Sequence, residues 1–137
     1  MSFDTIVPAL SAAVAFALGG ALGMTFADID LAPPLPIRHR SAWTHGAWVS
    51  LLLFLLRGRV LVYWFAIGFL PAHALHLLRD MFPEHWQGGA RISLYPLGGR
   101  RLGGALSFLW LLVSVVLSLA GWLWLALPIY ERIPRLW

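Results

Sequence analysis

The chain has 137 residues, of which 60% are apolar and only 12% are charged, whereas soluble proteins carry roughly 25% charged residues. This composition excludes an ordinary soluble domain and indicates a single membrane domain over residues 1–137. The net charge of +4 comes from arginines scattered in ones and twos, so the expected anionic partner is the lipid bilayer and nucleic acid is excluded.

The first predicted element is a membrane-spanning helix over residues 6–26. This run carries no charge and is long enough to cross roughly 30 Å of hydrocarbon at about 1.5 Å per residue. Gly19 and Gly23 form a GxxxG step within it, which would allow another helix to approach its backbone closely. A polar, proline-rich stretch over residues 27–40 then predicts the first loop.

The rest of the chain predicts three more apolar helices separated by a tight turn at residues 57–59 and a surface loop at residues 79–101. The predicted fold class is therefore all-α, a polytopic membrane protein with about four transmembrane helices in an up-down bundle. These helices are expected over residues 6–26, 41–56, 60–78 and 102–129.

The arginine-rich loops weakly encode an orientation, since positive charge favours the cytoplasmic side of a membrane. The side formed by the first and third loops carries Arg38, Arg40, Arg79, Arg91, Arg100 and Arg101, and the other carries Arg57, Arg59, Arg132 and Arg135. Six arginines against four favour the first side as cytoplasmic, with both termini outside.

Acidic and histidine residues concentrate where the end of helix 1, the start of helix 2 and the end of helix 3 would share one membrane face. A carboxylate near hydrocarbon costs several kcal/mol unless it is paired, hydrated or metal-bound. With no cysteine, a metal site here must use nitrogen and oxygen ligands, which suits Zn, Mn or Fe. The candidate ligands are Asp28, Asp30, His39, His45, His76 and Asp80.

Each of these residues has a simpler interpretation. The aspartates after helix 1 could end a helix at the interface, and His45 could be an interfacial histidine bonded to a carbonyl. His76 and Asp80 share a helix face at i, i+4 but could form a hydrogen-bonded pair without metal, and the neighbouring His73 is expected to be a packing residue. Arg40 and Arg79 could bind a substrate phosphate, or could anchor the chain at lipid headgroups.

Three motifs in this order resemble the bacterial inner-membrane family of membrane-bound metal-dependent hydrolases. The resemblance covers residues 26–96, and its motifs are Asp28-Ile-Asp30, His39-Arg40-Ser-Ala-Trp-Thr44-His45 and His76-Leu-Leu-Arg-Asp80. It implies that the six candidates above are the metal-site residues. Ala27 stands where the family usually has proline, and Gly46 where serine is common; neither change removes a ligand.

Two functional hypotheses follow. In the first, metal-activated water attacks a phosphoester or similar lipid-linked bond at the membrane face, with Asp30 as general base. In the second, the chain is a non-catalytic accessory subunit of a larger respiratory, photosynthetic or transport complex with a vestigial metal site. The small-residue face of helix 1 and the large aromatic apolar surface favour this second hypothesis.

Overall fold

The computed structural model describes residues 3–31, 40–82, 91–94 and 100–130. Their regular secondary structure is helical, which confirms the all-α prediction. The elements are α1 (Phe3–Thr25), a short 3-10 helix (Ala27–Leu31), α2 (Trp48–Leu55), α3 (Val60–Met81) and α4 (Gly104–Tyr130).

Three of these helices are long and apolar enough to cross a membrane: Thr5–Thr25 of α1, and the whole of α3 and α4. Their outer faces carry large apolar side chains, such as Leu10 and Trp124, which are 63% and 65% exposed. Apolar surface on this scale is stable when it faces hydrocarbon. The fold therefore suggests a membrane protein in contact with a lipid bilayer.

The second predicted helix is shorter than residues 41–56, since α2 has only 8 residues and a length of about 12 Å at 1.5 Å per residue. The four predicted spans are therefore not confirmed. The residues before α2 form turns instead, because Thr44 donates its main-chain N–H to the Ser41 hydroxyl, at 3.2 Å. Serine and threonine side chains that bond the local backbone in this way compete with helix formation.

Helices α1 and α3 run in the same direction and cross with their backbones in contact. A Cβ added at Gly19 would meet the main-chain carbonyl of Phe65, and one added at Gly68 would meet that of Phe16. Gly23 lies against the Phe69 carbonyl in the same way. The close approach predicted from the glycine step is observed, and it positions the end of α1 against the second half of α3.

Helix α4 runs antiparallel to α3 and packs on a different face of α3 from α1. The Tyr63 hydroxyl donates to the Leu125 carbonyl at 2.6 Å, whereas Leu111 packs in the same core cluster as Leu77. Helix α3 thus contacts α1, α2 and α4, whereas α1 and α4 do not pack against each other. Successive helices alternate in direction, so the end of α3 and the segment before α2 lie at the same end of the fold.

Part of the predicted surface loop at 79–101 is buried. Helix α3 continues to Met81, and beyond it Ile92 is fully buried in the core cluster that includes Leu77 and Leu111. Ser93 is also fully buried and forms backbone bridges to Ser41 and Arg101. The prediction of a surface loop was wrong here because isolated apolar residues such as Ile92 fill the space above the end of α3.

Candidate metal centre

Helix α3 places two of the predicted ligands on one face near its end. His76 and Asp80 are four residues apart, and His76 Nε2 lies 3.5 Å from Asp80 Oδ2. The same carboxylate oxygen lies 2.9 Å from Nε2 of His45, which comes from the turn before α2. One ligand atom from each of the three side chains lies within 4.8 Å of the others, and this group can hold a metal ion.

His45 is fully buried, and its ring is held from both sides. The Thr44 hydroxyl lies 2.9 Å from Nδ1 and 3.0 Å from the Ser41 hydroxyl, so a chain of hydroxyls satisfies the nitrogen that faces away from Asp80. The indole N–H of Trp110 on α4 donates to the His45 carbonyl at 2.9 Å. Side chain and backbone of this residue are therefore both fixed in place.

His76 has one satisfied and one unsatisfied nitrogen. Its Nδ1 lies 2.7 Å from the carbonyl oxygen of Met24 at the end of α1, and since a carbonyl can only accept, Nδ1 is the protonated donor. Its Nε2 is buried and makes no hydrogen bond to the residues that the structure describes. The side chain is only 9% exposed, so bulk water does not readily compensate.

The unsatisfied His76 nitrogen faces negative charge. Asp80 Oδ2 lies 3.5 Å from Nε2 and Asp28 Oδ1 lies 3.6 Å from it. In neutral His76 the protonated Nδ1 leaves a lone pair on Nε2, which would then point at two carboxylates. Such an arrangement of acceptors is repulsive unless a proton or a cation lies among them.

The surroundings of the two imidazoles are compatible with metal binding. A histidine that binds a metal through one nitrogen usually donates the other N–H to a carbonyl, carboxylate or water. His76 does so to Met24, and the Thr44 hydroxyl can accept the corresponding bond from His45. These residues therefore suit a bound cation as well as they suit a hydrogen-bonded cluster.

Asp28 joins the edge of the group. It lies in the 3-10 helix that follows α1. Its side chain is 48% exposed, so this side of the site is open. The backbone of Asp30 lies in the same short helix, but its side chain lies outside the described residues, as does the whole of His39. Their assignment to the site stays a prediction.

His73 lies one turn before His76 but is not part of the group. Its Nε2 donates to the Thr44 carbonyl at 3.3 Å, and its ring stacks on Phe69 with centroids 5.3 Å apart. It is fully buried. This environment is that of a packing residue, as expected from the sequence, and it also ties α3 to the turn that carries His45.

Two contributors to the site, Met24 and Thr44, were not predicted. The Met24 carbonyl leaves no signal in a sequence, because any residue at that position offers one. Thr44 stood beside a candidate ligand, and a hydroxyl next to a histidine could have been taken as its hydrogen-bond partner. Arg40 had two interpretations, phosphate binding or headgroup anchoring, and its guanidinium lies 3.9 Å from Asp80 Oδ1.

Two imidazoles and a carboxylate converge at the end of α3, with a second carboxylate at the open edge. Comparison of the chain with known protein families, with curated proteins and with solved structures found no match.

Proposed function

We propose that this protein is a metal-dependent hydrolase of a bacterial inner membrane that cleaves a phosphoester or similar lipid-linked bond at the membrane face. The observation that carries the proposal is the buried Nε2 of His76, which has no hydrogen-bond partner among the described residues and faces two carboxylates. A divalent cation at this point would remove the repulsion and satisfy the nitrogen.

The spacing of the group supports a small transition-metal ion. Ligands bound at about 2.1 Å in a tetrahedral site lie about 3.4 Å from one another. The distances from Asp80 Oδ2 to the histidine nitrogens are 2.9 and 3.5 Å, on either side of this value. The mixture of nitrogen and oxygen suits Zn, Mn or Fe.

Three convergent protein ligands, His45, His76 and Asp80, are the number found in catalytic zinc sites, which keep a fourth position open. When bound, a divalent ion supplies Lewis acidity and makes water acidic enough to act as a nucleophile near neutral pH. Asp28 stands at the exposed edge of the group, 3.6 Å from His76 Nε2. Asp30, in the same short helix, is proposed to accept the proton from water as general base.

Metal content tests the proposal directly. The full chain is purified in detergent, incubated with zinc, desalted and measured by mass spectrometry for bound metal. We expect one equivalent in the wild type and a loss of binding in His76→Gln and Asp80→Asn. Two matched controls should keep their metal: His73→Gln, which retains a donor for the Thr44 carbonyl, and Arg79→Gln, an exposed neighbour of Asp80.

Hydrolysis is then measured with chromogenic and lipid phosphoesters before and after chelation. Loss of turnover on chelation, restored by zinc, is the expected result. A wild-type protein that retains no more metal than His76→Gln and Asp80→Asn would contradict the proposal. Metal-free protein recovered in fixed stoichiometry with a larger membrane complex would favour the accessory-subunit hypothesis instead.

A further inference from the structure

Arg40 has an unusual backbone at the edge of the metal centre. Its φ of 59° is in the left-handed region, where residues other than glycine are uncommon. The conformation is held by neighbours, since the Ser93 N–H donates to the Arg40 carbonyl at 2.8 Å. Ala42, two residues later, is also fixed, because its N–H donates to the Ser93 carbonyl at 2.7 Å. These bonds fix the point from which the arginine side chain extends toward Asp80.

The guanidinium of Arg40 is only partly satisfied. Among the described carboxylates, Asp80 contacts it, but Oδ1 lies 3.9 Å from NH2, which is too long for a hydrogen bond. Its Nε is buried and makes no hydrogen bond to any residue that the structure describes. A buried N–H without a partner is unfavourable, so a ligand that accepts this bond would be favoured.

A role as a simple headgroup anchor does not account for this environment. Arginine anchors extend into the interface and keep their donors in water. Arg79 and Arg101 are exposed in this way, whereas the Arg40 side chain is 24% exposed and directed at the metal centre. Its position indicates a ligand at the site.

We propose that Arg40 binds a phosphoryl anion beside the metal centre, either the phosphate monoester of a lipid headgroup or free inorganic phosphate. The inference rests on the proposed function and names the chemical class of its substrate or product. A guanidinium donates two parallel hydrogen bonds to phosphate oxygens. Nε is one of the donors in that fork, and it is the atom left without a partner.

The charges of the site favour the same ligand. A divalent ion and Arg40 together would supply three positive charges, which the carboxylates of Asp28, Asp80 and Asp30 would balance when the imidazoles are neutral. A phosphoryl anion between the ion and the guanidinium would have positive charge on both sides, where burial reduces screening by solvent. Without Arg40 the phosphate would be bound by the metal alone.

Phosphate binding to the zinc-loaded full chain, measured by isothermal titration calorimetry with inorganic phosphate, tests this role. We expect Arg40→Gln to bind phosphate about 10- to 100-fold more weakly than the wild type, the usual effect of losing hydrogen bonds to a charged group. Arg40→Lys should fall between them because it keeps the charge but not the fork. The matched control Arg79→Gln should bind phosphate as the wild type does.

A second arm separates the two sources of phosphate. The titration is repeated in nanodiscs of phosphatidylcholine with and without phosphatidic acid. Competition by phosphatidic acid would support a lipid monoester as the ligand, and unchanged phosphate binding would support free phosphate; either result agrees with the role of Arg40.

Zinc binding is measured in every variant, which keeps the two proposals distinguishable. Equal phosphate affinity in zinc-loaded wild type and Arg40→Gln, or no phosphate binding by the wild type, would overturn the role of Arg40 and leave the metal centre standing. Loss of zinc from Arg40→Gln would also overturn it, since the residue would then be structural. Absence of zinc from the wild type would overturn the proposed function itself.

Discussion

The crossing of α1 and α3 predicts a sharp difference between two neighbouring glycines. A Cβ at Gly19 would overlap the main-chain carbonyl of Phe65, whereas the nearest atom to a Cβ at Gly20 is the Gly68 carbonyl oxygen, at 4.0 Å. Alanine should therefore destabilise the fold at Gly19 and be tolerated at Gly20. The pair forms its own control, since both glycines lie in the same helix and both changes add one methyl group.

The magnitude follows from two terms. Replacing glycine by alanine inside a helix favours folding by up to about 1 kcal/mol, and this gain is common to both variants. At Gly19 the obstruction is backbone rather than a flexible side chain, so the helices must separate, at an overpacking cost of about 1–3 kcal/mol. The free energies of unfolding of the two variants should thus differ by about 1–3 kcal/mol, with Gly20→Ala at or above the wild type.

Unfolding of the purified full chain by SDS in mixed micelles, followed by circular dichroism and tryptophan fluorescence, measures this difference. Separation of α1 from α3 would also withdraw the Met24 carbonyl from His76. Gly19→Ala should therefore bind zinc more weakly than Gly20→Ala. Equal unfolding curves for the two variants would refute the close backbone crossing.

Two further predictions concern hydroxyl groups. Thr44→Val removes the hydroxyl beside His45 Nδ1 and should lower zinc affinity about 10- to 100-fold, measured by competition with a chelating dye. Thr44→Ser keeps a hydroxyl and should bind zinc as the wild type does. An unchanged affinity in Thr44→Val would show that the hydroxyl does not orient the ring. Ser50 and Ser118 share a buried hydrogen bond of 2.6 Å between α2 and α4. A double-mutant cycle with alanine at both positions should give a coupling of about 0.6 to 1.7 kcal/mol, and strictly additive unfolding energies would contradict the bond.

The long helices were predictable because their signal is composition over many residues. Uncharged apolar runs marked α1, α3 and α4 to within a few residues of their observed ends. The segment before α2 was not, because its structure depends on individual hydrogen bonds. The Ser41 hydroxyl accepts the Thr44 N–H there, and the main chain of Ser93 bonds those of Arg40 and Ala42. Bonds to Ser93 require knowledge of which distant residue lies opposite.

The meeting of His45, His76 and Asp80 was predictable from helix directions alone, since alternating helices bring their segments to one end. The unsatisfied Nε2 of His76 was not predictable. It depends on Nδ1 being held by a main-chain carbonyl from α1, and on a rotation of the ring that sequence does not encode. Arg40 is a similar case, because its importance lies in a backbone conformation and a buried nitrogen.

The central position of α3 has a consequence for biosynthesis. Chains enter membranes from the N-terminus onward, and α3 carries His76 and Asp80 while its partners, His45 and the Met24 carbonyl, precede it. All the side chains of the ligand group are therefore present once α3 has been inserted, before α4 has been synthesised. Helix α4 then adds the hydrogen bond from the Trp110 indole to the His45 carbonyl. This bond would stabilise the position of side chains that are already close together.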